Sequence, residues 1–88
     1  MLEINVGDVV QTVCGRDKFQ PFVVVKIEGD FAFLANGKNR TINNPKAKKL
    51  KHVRLTSIKI DTIRNKLQNH ERVLDSEIRK AIDNLNII

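Results

Sequence analysis

The chain has 88 residues, 41% hydrophobic and 30% charged, with a net charge of +6 at neutral pH. That length allows one domain with a modest core, and the composition excludes a disordered tail. A lone Cys14 excludes an internal disulfide framework, and the absence of both a basic leader and an apolar run of about 18 residues argues against export or membrane insertion and for a cytoplasmic protein.

Short strand signals fill the first two thirds. DVVQTV (Asp8 to Val13) alternates loosely, and PFVVVKI (Pro21 to Ile27) is a β-branched run. FAFLA (Phe31 to Ala35) follows the turn cluster Glu28-Gly29-Asp30, and its two rings share one face that is expected to point inward. Asn36-Gly37 suits two successive positive-φ positions, so it predicts a hairpin into a fourth strand, Asn39 to Asn43. KHVRLT (Lys51 to Thr56) sets Val53 and Leu55 on one face and His52, Arg54 and Thr56 on the other. Five such strands are too few for a sandwich, and closing them into a barrel removes their edges. The expectation is a mostly β fold: a small five-stranded SH3-like barrel over residues 1–57.

The period then changes. Ile60, Ile63, Arg64 and Leu67 follow helical spacing, and Ser76 is the expected cap of a second helix carrying Ile78, Ala81, Ile82 and Leu85. Helices this short are marginal alone in water, so residues 58–88 are expected to pack on the barrel as a helical tail, with a protein contact through the tail left open.

The charge is unevenly placed. Residues 1–30 hold three bases and five acids, residues 61–88 hold five of each, and residues 31–60 hold eight bases and no acid. The excess is concentrated between Asn43 and Arg54, where NNPKAKKLKHVR carries five cations in twelve residues. A single-sign field destabilises a compact chain and attracts polyanions, so an anionic partner is expected.

GDVVQTVCGRDKFQPFVVVKI, with Gly7-Asp8-Val9-Val10 opening a strand, a loop at Gly15-Arg16-Asp17 and a second aliphatic strand, resembles a KOW motif. With FAFLANGKNR, Asn44-Pro45-Lys46 and Lys51-His52-Val53 behind it, the stretch from Val6 to about Thr56 is similar to the large-subunit ribosomal protein 14 type of archaea and eukaryotes and its bacterial KOW-domain relatives. The resemblance implies an SH3-like barrel that binds structured RNA, ribosomal RNA above all, and takes part in translation. Phe19 departs from the pattern, which places a glycine there and with it a closer backbone approach.

Candidate RNA-binding residues are Lys46, Lys48, Lys49 and Lys51 on a loop restrained by Pro45, Lys38 and Arg40 beside Asn36-Gly37, and Arg54, His52, Arg16 and Lys18. Ammonium groups meet phosphates as point charges, and Arg40 or Arg54 can bind them bidentately, so backbone shape would dominate recognition. Arg16 either reaches RNA or pairs with Asp17, and His52 either contacts RNA or makes a structural hydrogen bond. Cys14 reads as a small core residue and His70 as a bland connector. With Phe31 and Phe33 assigned to the interior, Phe19 and Phe22 are left as stacking platforms, thin provision for single-stranded RNA. No phosphate-cradling glycine loop, catalytic acid pair, metal-ligand cluster or Cys-His pair with an orienting group emerges, so no enzyme, cofactor or metal is expected. Two other readings use the same barrel: a protein-interaction module, and a transcription-elongation accessory factor binding nascent RNA.

Overall fold

Apolar side chains cover both faces of the run Pro21 to Glu28, which forms the longest strand of a five-stranded antiparallel sheet. A computed structural model describes residues 3–13, 15 and 20–85. The strands are Asp8–Thr12 (β1), Pro21–Glu28 (β2), Phe31–Ala35 (β3), Lys46–Lys49 (β4) and Val53–Lys59 (β5), followed by helices Asp61–Gln68 (α1) and Asp75–Asp83 (α2). Their order across the sheet is β4-β3-β2-β1-β5. The two edge strands are joined only by a 3-10 turn, Leu50–His52. Lys49 to Val53 reaches at most about 14 Å, whereas a flat sheet of five strands is about 19 Å wide, so the sheet is curled. Leu50 donates its N–H to Asp30 O at 2.8 Å and His52 O accepts from Val13 N–H at 3.1 Å, which fastens both ends of the turn.

One face buries Val10, Phe22, Val24, Ala32 and Leu34, closed over by Ile4, Ile27, Leu50, Val53 and Leu55. The other buries Val9, Val23 and Ala35 beneath Ile63, Val73 and Ile78 from the tail. In β5 the alternation is reset by a bulge: Leu55 pairs with Val10 and Ile58 with Val9, and Ser57 sits at φ 70 between them. Thr56 holds it, its Oγ1 donating to Val9 O at 2.7 Å and accepting from Ile58 N–H. The bulge lets one strand supply Val53 and Leu55 to one core and Ile58 to the other. β5 therefore continues to Lys59, past the expected boundary at residue 57.

The tail is tied to the sheet by polar contacts as well. Arg64 of α1 donates through Nη2 to Asp8 Oδ1 and through Nε to Val6 O at 2.9 Å. Gly7, at φ +86, lies so close that a Cβ there would meet Arg64 Cβ at 2.6 Å. Lys66 of α1 pairs with Glu77 of α2 at 2.7 Å.

Three expectations are corrected. The fourth strand is not Asn39 to Asn43 but Lys46–Lys49, read above as loop. Residues 36–45 instead form a loop folded around Asn36, whose Oδ1 accepts from Lys38 N–H and Arg40 N–H. That loop serves as a dock for α2: Gly37 O accepts from Arg79 Nη1, Ile42 N–H donates to Asp75 Oδ1 at 2.7 Å, and Ile42 joins the tail core. Ser76 is not the helix cap, since the N-cap position is Leu74 with no side-chain cap, and the neighbouring Asp75 carboxylate is committed to Ile42. Phe31 and Phe33 do not point inward. Phe31 is 40% exposed, and Ala32 and Leu34 occupy the interior positions because Phe22, 1% exposed, already fills that core.

Candidate nucleic-acid interface

Cross-strand register fixes where each lysine of β4 points. Lys46 and Lys48 stand opposite Leu34 and Ala32 and share their face of the sheet, while Ala47 and Lys49 stand opposite Phe33 and Phe31 on the other. Four residues of modest β propensity make a strand here because β3 supplies the pairing, and lysines suit an edge that must not pair further. Lys48 reaches across to the first loop, its Nζ 3.3 Å from where a Cβ on Gly15 would lie. The 3-10 turn then carries Lys51 past the edge, and Arg54 lies on β5 opposite Gln11.

Two open grooves meet at this turn. One, of about 640 Å³, is lined by Asp30, Phe31, Lys49, Leu50 and Lys51. The other, of about 750 Å³, runs along Leu50, Lys51, Val53, Arg54 and Leu55 and is walled by Glu3 and Ile4. Leu50 and Lys51 belong to both, so Lys49, Lys51 and Arg54 follow one continuous track. Among the described residues, cationic side chains pair as Lys26 with Glu28, Lys38 with Asp83, Arg64 with Asp8 and Lys66 with Glu77. Lys48, Lys49, Lys51 and Arg54 make no ion pair among those residues, and Lys49, Lys51 and Arg54 are exposed.

The other candidates are placed differently. Lys38 is engaged by α2, with Nζ 3.4 Å from Asp83 Oδ1. Arg40 is half-buried in the docking loop, and its Nε is buried with no hydrogen-bond partner among the described residues. Neither belongs to the grooves. His52 is half-buried and contributes its carbonyl to Val13. Arg16 and Lys18 lie outside the described residues, as do Cys14, Asp17 and Phe19. Phe22, named above as a stacking platform, is buried.

Phe31 is the groove residue that the sequence reading assigned elsewhere. The signal for it was present: a two-residue turn at Gly29-Asp30 pairs Glu28 with Phe31, and partners in register share a face, so a charged Glu28 places Phe31 outside. Among the described residues no group of three or more His, Cys, Asp or Glu is set to hold a metal, and no helix is long and apolar enough to cross a membrane. In comparisons with known proteins, no family model and no curated sequence matches the chain.

Proposed function

We propose that this chain is an RNA-binding protein, an SH3-like barrel of the KOW type that holds structured RNA, ribosomal RNA foremost, by its phosphate backbone, and that it works in the cytoplasm. The observation that carries the reading is the track of Lys49, Lys51 and Arg54 along two joined grooves, with Lys48 beside the first loop and none of the four committed to an acid among the described residues. Cations left uncompensated along a groove keep a positive potential there, which a polyanion relieves by releasing its counterions. Edge protection alone would be served by charge of either sign, whereas residues 31–60 contain no acid at all. The KOW-like sequence from Val6 to Thr56 supports the same reading.

Lys38 and Arg40 drop out of the proposed contact set, since the first is paired and the second packed in the dock for α2. The test is crosslinking in cells followed by mapping of the bound RNA, run beside a variant with Lys48, Lys49, Lys51 and Arg54 all changed to Ala. Ribosomal RNA recovered with the native chain and lost with the folded variant is the expected result. Equal recovery with both, or recovery of no RNA, overturns it.

A further inference from the structure

We infer that the groove beside Phe31 is a subsite for one unpaired nucleobase, stacked on the Phe31 ring while Lys49 and Lys51 hold the flanking phosphates; the inference rests on the RNA reading above. Phe31 is 40% exposed, whereas Phe22 is buried almost completely. It stands in register with Lys49 on one side and Glu28 on the other. Glu28 is held by Lys26 at 2.7 Å, and Lys26 Nζ also lies 5.6 Å from the centre of the Phe33 ring. Phe33 is therefore already matched with a cation, and among the described residues the ring that stays open is Phe31.

The chemistry of the lining selects the occupant. Phe31 and Leu50 supply apolar surface, Lys49 and Lys51 supply positive charge, and Asp30 is the one acid in the lining among the described residues. A phosphate would be repelled by Asp30, whereas the amino edge of a base can donate to it, and the base's π face suits Phe31. An apolar peptide side chain would leave both lysines unmatched. A base flanked by two phosphates satisfies ring, cations and acid together, and a volume of about 640 Å³ has room for it. The RNA so recognised is a folded one with a bulged or looped-out nucleotide, so the backbone track and the base subsite act on the same strand.

The test uses the full 88-residue chain and two RNA hairpins, one fully paired and one identical but for a single bulged 2-aminopurine. The expected result is binding of the bulged hairpin about 5- to 100-fold tighter than the paired one, with quenching of the 2-aminopurine on binding. Phe31→Ala and Phe31→Leu should abolish that difference and the quenching, while Phe31→Tyr retains both. Thermal melts of all three check folding, and Leu keeps the apolar cover of the sheet if Ala weakens it. Equal affinity of the native chain for both hairpins sinks the base subsite and leaves the RNA reading standing, whereas binding of neither hairpin sinks both. A dimer lost on Phe31→Ala, measured by light scattering, would assign the ring to self-association and also overturn the inference.

Discussion

Removing Lys48 and Lys51 together, by Lys48→Ala and Lys51→Ala, should change how steeply RNA binding responds to salt. Four cations near the grooves, Lys48, Lys49, Lys51 and Arg54, make no ion pair among the described residues. Each phosphate neutralised contributes about −0.9 to the slope of log K against log salt, taking the duplex-DNA value, so four give about −3.6. Between 50 and 200 mM salt that slope amounts to about 150-fold weaker binding, and the double variant, with two cations left, should lose only about 12-fold over the same range. Contacts through Arg16 and Lys18, which lie outside the described residues, can only steepen the native slope. Lys38→Ala is the internal control: its ammonium lies by Asp83 and outside both grooves, so its removal should change the slope far less than the double variant does. The assay is fluorescence anisotropy of a labelled folded RNA titrated at four salt concentrations, with melts of each variant. A flat response of the native chain, or a slope reduced as much by Lys38→Ala as by the double variant, refutes the electrostatic track.

Three further outcomes test the frame that positions the track. Arg64→Leu strands Asp8, 2% exposed, as a buried carboxylate without its cation, and should cost about 3 to 5 kcal/mol in urea unfolding; a loss under about 1 kcal/mol would mean that the pair carries little. Gly37→Ala forces a side chain into φ +77 and against Asp75 O and Arg79 N, the latter at 2.7 Å, so strain and overpacking together should cost about 2 to 5 kcal/mol and loosen α2 in hydrogen exchange. A chain cut after Ile60 uncovers Val9, Val23 and Ala35 and should lose its cooperative melt, and a dispersed amide spectrum from that fragment would contradict the packing described.

Strand and helix types were legible wherever one periodicity ran without interruption. PFVVVKI and FAFLA form the paired strands β2 and β3, as their branched and aromatic residues favour, and the apolar stripe Ile78, Ala81, Ile82 and Leu85 lies in the core that the tail shares with the sheet. The errors fall where a local signal competed with a distant contact. Asn36-Gly37 has the chemistry of a tight hairpin, but Gly37 is there to let α2 approach, a requirement set by residues 75 to 79. Lys46–Lys49 carries no strand signal of its own, because an edge strand takes its pairing from its neighbour. The inversion of Phe31 and Phe22 has a similar origin: hydrophobicity says that both prefer burial, and only the volume of the finished core decides which ring is left outside.

Charge is the property the sequence determined by itself, since eight bases without an acid over residues 31–60 stay in excess in any fold those residues adopt. Which of them remain free was decided by tertiary structure. Asp83 is 45 residues from Lys38 along the chain yet pairs with it, while Lys49, Lys51 and Arg54 are carried by an edge strand, a 3-10 turn and the start of β5 to a rim where they pair with none of the described acids. Coulomb attraction acts through space, so the count of charges is written in the order of residues and their availability is set only when the chain has folded.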